Sequence, residues 1–408
     1  MSADLRSAIR LCRLIGLFPP GSKPDVAAAY RAYQVLLFAV VSTVTATMTI
    51  QLFIAPELDT LARTIDIWTM CLSGLYKWYC LAVFVDKYRT LHGLLDRVRV
   101  QAEVVYGPSA HRFMANHVRR VGLISNVYGL SGILVAGFLS LGAMYSYPKG
   151  NRSDLEYFND PKSYPLCCWM PFTVSNYWVF SLICVLHFLV LLSAVFMYLL
   201  IDTYMFGAIF IMGGQFELLN EILSSVRPMI KPNYSSKQNK LKSVDDQKHI
   251  DCCYFLSQCI NYHSLILKSL RSLQDMFNTL IIFDYLHGIT SLTFAMFQTT
   301  ISSSIEETIS LLVFISISII HQYLNNFFGE YIIQKQLNVQ RAAYDFPWLF
   351  INKKSRQLIT MLIFRSNKPL IVTGFYMYEL CFKSFLAFVK ALYTYYMVLR
   401  KVNQEEVN

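Results

Sequence analysis

Lys77 stands in the middle of the apolar run Ile67–Val85. Asp284 and His287, three apart, stand in another run that extends from about Phe277 to Phe297. Ionisable groups inside apolar runs of this length pair with one another, bond backbone carbonyls, or face a water-filled path or cavity. Two readings stay open for Lys77: its ammonium is paired to a carbonyl, or it lines the inner part of a pocket. Asp284 and His287 read as structural groups near the inner end of their run. Intramembrane acid–base chemistry would need paired groups at one depth, and no pair of carboxylates is expected in adjacent runs. Soluble-enzyme motifs are missing too: there is no P-loop, no His-Glu-x-x-His and no Gly-x-Ser-x-Gly. The ten cysteines show no metal-site spacing. Cys167 and Cys168 are adjacent in a loop where a disulfide is possible, but neither has an obvious partner. The chain therefore reads as a non-enzyme, with no cofactor and no metal.

The elements that hold these groups are apolar and long. The 408 residues are 55% hydrophobic, 15% aromatic and only 15% charged, and the apolar residues are clustered. A helix needs about 20 apolar residues to cross a hydrocarbon layer of about 30 Å. Seven runs qualify: Tyr33–Ile54, Ile67–Val85, Val121–Tyr147, one within Phe172–Ile201 that contains His187, the run from about Phe277 to Phe297, Thr308–Phe328 and Leu380–Leu399. Backbone in lipid must satisfy its own hydrogen bonds, so the runs are helices. The fold class expected is an all-α membrane protein with seven transmembrane helices.

Charge placement predicts how they thread. Of the 36 Lys and Arg residues, 27 fall in the amino-terminal segment and the loops after runs two, four and six, against four in the alternate loops. Basic loops stay in the cytosol. That predicts a cytosolic N-terminus and, with seven crossings, an extracellular C-terminus. The net charge of +10 belongs to these loops, so nucleic acid is not an expected partner; membrane lipid is. Met1–Val26 lacks the apolar stretch of a cleavable signal, so run one is expected to act as its own insertion signal. Asn151-Arg-Ser153 lies on the outside and is a candidate glycosylation site, whereas the Asn233-Tyr-Ser235 sequon falls in the cytosol.

The organisation expected from these runs has seven parts. Residues 1–32 form a cytosolic segment, 33–201 the first four spans, and 202–275 cytosolic helical extensions with a disordered linker at about 231–249. Residues 276–328 carry spans five and six, 329–368 a cytosolic helix, 369–403 the last, pore-lining helix, and 404–408 an extracellular tail. Leu256, Ile260, His263, Leu267, Leu270 and Leu273 recur at helical spacing. Span five therefore starts inside the cytosol, span four runs on through Gly207–Leu223, and with Phe346–Phe364 these form a cytosolic anchor bundle.

The last 60 or so residues are the most specific part. Pro369 breaks an amphipathic helix, Asn367-Lys368-Pro369-Leu370 leads into Thr373-Gly374, and the final run closes Tyr393-Thr394-Tyr395-Tyr396-Met397-Val398-Leu399-Arg400-Lys401-Val402. Here the chain resembles the insect odorant receptor family, whose last helix carries a Thr/Ser-Tyr-aromatic-x-Val-Leu pattern. Cys168-Trp169-Met170-Pro171-Phe172 is similar to that family's second outer loop. Gustatory relatives end in a Thr-Tyr motif closed by Gln-Phe; Lys401-Val402 stands there instead, which favours the odorant branch. The extended second cytosolic loop of the Orco co-receptor is absent, so the chain resembles a ligand-tuning subunit.

The resemblance implies an odorant-gated, non-selective cation channel in the plasma membrane of olfactory neurons. The last helices ring a pore in a tetramer with Orco. Val398 and Val402 match the outer gate positions; they are i and i+4, on one helix face, where a ring of apolar side chains closes a pore by dewetting. The bland alternative is that both valines pack against lipid or a neighbouring helix. Lys401 replaces an uncharged amide of Orco, and a cation at the outlet discourages cations; one copy among uncharged partners is tolerable, which points to a heteromer. Without that role, Lys401 anchors its helix at the headgroups. The family's pocket for a small volatile ligand lies in the outer half of the bundle. It maps onto Met70 and Ser73 in span two, Ala136, Leu139 and Ala143 in span three, Tyr177 and Ser181 in span four, and Thr308 and Leu312 in span six. Ordinary helix packing is the competing expectation for each. Three rivals remain. A G-protein-coupled receptor needs an outside N-terminus, a secondary transporter needs repeated halves with broken helices, and a gustatory-type channel works as a homomer.

Overall fold

The computed structural model describes residues 24–54, 58–145, 154–225, 241–301 and 305–407. These form ten α-helices, two 3-10 turns and one short hairpin. The helices are α1 (Pro24–Ile54), α2 (Leu58–Val83), α3 (Val85–Tyr106), α4 (Ser109–Tyr145), α5 (Asp154–Asn159), α6 (Tyr177–Ser225), α7 (Leu241–Ile301), α8 (Ile305–Tyr344), α9 (Lys353–Ser366) and α10 (Phe382–Val407). Each of the seven apolar runs falls mainly on one of α1, α2, α4, α6, α7, α8 and α10; the second ends past α2 at the start of α3, and residues 146–147 of the third lie outside the described residues. Among the described residues, four stretches are long and apolar enough to cross a membrane by length and composition: Ala28–Ile54, Tyr177–Ser225, Cys252–Ile301 and Thr308–Tyr344. α2 carries Asp59, Arg63, Asp66 and Lys77 along its length, and α10 carries Lys383, Lys390, Arg400 and Lys401.

The helices outrun a bilayer. α6 has 49 residues and α7 has 61, so at about 1.5 Å per residue each is more than twice the hydrocarbon thickness. α6 shows why. From Val190 onward most of its side chains are buried, and Met197–Met205 is a continuous buried stretch. A helix that is apolar all round must be covered all round, and α2, α4, α7 and α8 pack around it. Towards its N-terminus, Trp178, Leu182, Val185, Leu186 and Leu189 lie exposed instead. One half is thus built as a protein core, and the other exposes an apolar surface of the kind that lipid or a partner covers. Two glycines allow close approach: Gly74 lets α2 reach the backbone of α6 at Ala194, and Gly132 sits against Val195, Phe196 and Leu199.

Several boundaries differ from those read in the sequence. α6 begins at Tyr177, inside the window Phe172–Ile201, where the Asn176 side chain accepts a hydrogen bond from Trp178 N at 3.0 Å and caps it, but it runs on past Ile201 to Ser225. α7 begins at Leu241, so the last nine residues of the stretch expected as linker carry helical backbone; residues 231–240 lie outside the described residues. Phe346–Phe364 is not one helix. A 3-10 turn at Trp348–Phe350 follows Pro347, and α9 restarts behind Asn352, whose side chain accepts from Ser355 N at 2.8 Å. α9 ends at Ser366, ahead of Pro369. Between α9 and α10 the chain makes the hairpin β1 (Thr373–Gly374) and β2 (Tyr378–Glu379), antiparallel with Thr373 opposite Glu379.

Candidate functional site

Lys77 is fully buried, and its Nζ lies 2.7 Å from Asp202 Oδ2 and 2.5 Å from Asp284 Oδ1. The expectation that adjacent runs bring no two carboxylates together is therefore corrected. Asp202 directly follows the apolar run that ends at Ile201, and the crossing of α2, α6 and α7 carries it to Asp284. Of the two readings for Lys77, pairing holds: the ammonium also reaches Tyr198 O at 3.3 Å and stands 3.9 Å over the Tyr198 ring. Tyr198 Oη lies 3.1 Å from His321 Nε2, and that nitrogen lies 3.3 Å from Asp202 Oδ2 and from Asn325 Nδ2. His287 Nδ1 contacts Thr69 Oγ1 at 3.2 Å. Four helices, α2, α6, α7 and α8, meet in this one polar cluster. An unpaired charge here would face a desolvation cost that no water repays, which explains why lysine and carboxylates occur together.

Asp202, Asp284 and His321 present ligand-type atoms within 4.8 Å of one another. The chemistry of the set argues against a metal ion, because the ammonium already lies against both carboxylates and supplies the positive charge. Sequence reasoning saw Lys77, Asp284 and His287 but missed Asp202, Tyr198, His321 and Asn325. The one available signal was that a buried lysine demands an anion, and Asp202 is the first carboxylate after its run.

A second cluster ties α10 to the bundle. Gln274 on α7 donates from Nε2 to Thr373 O and accepts from Thr373 N, both at 2.8 Å. Gln336 on α8 does the same with Leu370, both bonds at 2.9 Å. Each glutamine serves as a one-residue strand partner for the connector that precedes α10. Asn326 and Tyr378 exchange hydrogen bonds at 3.0 and 3.1 Å. Gly374 packs so tightly that a Cβ there would stand 2.9 Å from Ile282 N. α10 then buries Phe388 and Leu392 against Leu292 of α7. Its other face is bare: Leu386, Val389, Tyr393 and Met397 form an exposed apolar stripe at i, i+3, i+7 and i+11.

The residues expected at the gate and in the ligand pocket fall as follows. Val398 is 55% exposed on the bare side of α10, and Lys401 is exposed near its end. Val402 lies on α10, with its side chain outside the described residues. Met70 and Ser73 are buried, and the Ser73 hydroxyl has no hydrogen-bond partner among the described residues. Ser181 and Thr308 are half-buried, whereas Tyr177 and Leu312 are 48% and 52% exposed. Ala136, Leu139 and Ala143 lie on α4, with their side chains outside the described residues, and Asn151 lies wholly outside them. Cys167 and Cys168 are buried, with no disulfide between described residues, and Cys168 Sγ lies 3.5 Å from His187 Nε2.

A family model described as "7tm Odorant receptor" matches residues 57–393. The chain is similar to two receptors of Drosophila melanogaster. It is 25% identical to odorant receptor 67c over 171 residues, 41% of each chain, and 21% identical to odorant receptor 30a over 165 residues, 40% of this chain and 44% of that one. It thus spans less than half the length of these relatives. In fold it is similar to the insect olfactory receptor OR5 of Machilis hrabei. The eugenol complex of that receptor superposes with a TM-score of 0.78 at 14% identity, covering 98% of this chain and 97% of that one. A second OR5 structure gives 0.76 at 13% identity, covering 97% of both.

Proposed function

The chain belongs to the odorant receptor family, and from that premise we propose that it is the ligand-tuning subunit of an odorant-gated, non-selective cation channel. It binds a small volatile molecule in the outer half of the helix bundle and opens a pore formed with the Orco co-receptor in a heterotetramer. The threading runs from a cytosolic N-terminus to an extracellular C-terminus, in the plasma membrane of the olfactory neuron dendrite. Charge supports that orientation, with basic residues in alternate loops.

The observation that carries the proposal is α10. It is a 26-residue helix fixed on one side to α7 and α8, with an exposed apolar stripe and Val398 on the other. Such a stripe is the surface a monomer would have to cover, and symmetric copies of it around an axis give a lined pore. The polar cluster at Lys77 fits the same reading: it fastens α2, α6 and α8, three of the helices assigned to the pocket, to α7, which carries α10. Eugenol in the OR5 complex is a small aromatic volatile, the ligand class proposed for Met70, Ser73 and the neighbouring positions in this chain.

Current recordings from cells expressing this chain with Orco, with Orco alone, and alone, against a panel of volatiles, test the proposal. The expected result is an odorant-evoked cation current only when both chains are present. A current from this chain alone would favour a homomeric, gustatory-type channel. Silence to every ligand despite surface expression would defeat the channel reading.

A further inference from the structure

We propose that a cavity between α3, α4 and α6 binds the phosphate headgroup of an anionic lipid. The cavity holds about 300 Å³. Arg99, Glu103, His111 and Arg119 rim it, Met114 and small alanine side chains line its apolar part, and Gln215 closes it from α6. Three features point to an anion. Arg119 and His111 are exposed and have no ion pair among the described residues. Arg99 Nε stands 3.7 Å from Glu103 Oε1, too far for a hydrogen bond, so most of its guanidinium donors are free for bidentate contact with phosphate. Gln215 is 2% exposed, and its Oε1 accepts from Tyr262 Oη, while Nε2 has no partner among the described residues. An amide donor at the cavity wall beside two guanidinium groups is a place that an oxyanion would complete. Glu103 is the one carboxylate on the rim, and it works against anion binding.

Position argues for a lipid as the source of the phosphate. Arg119 and Arg120 directly precede Val121, where the uncharged stretch of α4 begins. At about 1.5 Å per residue, Ala110–Arg119 covers the first 14 Å or so beneath that stretch. Its upper part, with Arg119, lies in the zone of headgroups, about 5–8 Å thick and not of acyl chains, and basic groups there attract anionic lipid. The inference rests on the threading proposed above, which places the cavity on the cytosolic leaflet, where such lipids are enriched.

Binding of a fluorescent short-chain phosphatidylinositol bisphosphate to purified receptor in detergent tests the site. Phosphatidylcholine of the same chain length and inorganic phosphate serve as comparison probes. Saturable binding of the inositol lipid alone is expected. Arg99→Gln and Arg119→Gln should each weaken it about fivefold, and Glu103→Gln should tighten it. Arg112→Gln, an exposed cation on α4 that does not line the cavity, should leave it unchanged. Equal binding of phosphatidylcholine, equal weakening by Arg112→Gln, or full competition by inorganic phosphate would overturn the assignment. They would reveal, in turn, a greasy surface, a diffuse field and a soluble-anion site. Odorant-evoked currents in the same variants separate the two proposals: normal currents without lipid binding would remove the site and leave the channel standing.

Discussion

Lys77 carries one positive charge into a place with two carboxylates, and removing it leaves both facing each other out of water. Breaking a buried pair from one side costs about 3–5 kcal/mol. Lys77→Met should therefore lower the melting temperature of the purified receptor sharply and reduce its surface expression. Asp284→Asn keeps the Lys77–Asp202 pair and should cost clearly less. Equal melting of Lys77→Met and the parent protein would mean that the cluster bears no structural weight. With the threading proposed above, His92 and His263 lie outside the membrane, and burial holds both imidazoles down at about 4, from an ordinary 6.5. Both rings are neutral in the folded chain, while the unfolded chain takes up protons below about 6.5. Their contribution is thus complete above about 6.5 and is lost as the pH falls towards 4. The melting temperature should drop across that window, and His92→Gln with His263→Gln should flatten the profile. An acid sensitivity unchanged in the double variant would assign it elsewhere.

At the scale of elements, the connector from Asn367 to Leu380 hangs on Gln274 and Gln336. Gln336→Leu strands the N–H and C=O of Leu370, and lost partners of this kind cost about 1–3 kcal/mol. The measurable consequence is an altered odorant dose–response with α10 still present, because the tie between α8 and the helix proposed to line the pore is loosened. A variant that melts lower but keeps its dose–response would make the clamp purely structural. Helix positions were largely legible in the sequence, since apolar runs and basic loops are local properties. The clamp was not: two glutamines in α7 and α8 look like any polar residue of a helix until the connector folds back onto them. Pro347 and Asn352 did carry a signal for the break before α9, one that the amphipathic pattern of Phe346–Phe364 masked.

For the whole molecule, the proposed pore gives the clearest readout. With Val398 at a hydrophobic gate, Val398→Asn should wet the constriction and raise the current through the complex with Orco before any odorant is added. A resting current that stays at the parent level would send Val398 back to the lipid-facing or packing role. Epitope tags at the two ends, probed on intact cells, should label only the C-terminal one; labelling of both would break the threading. Composition and run length already determined a helical membrane protein, because lipid acts on each segment through its own hydropathy, while the motifs of the last 60 residues carried the resemblance to its family. Which groups meet was decided only by the tertiary structure. Asp202, Asp284 and His321 come from three different helices, and hydropathy does not record how helices rotate and cross. Side-chain packing sets that geometry, and packing depends on all the helices at once.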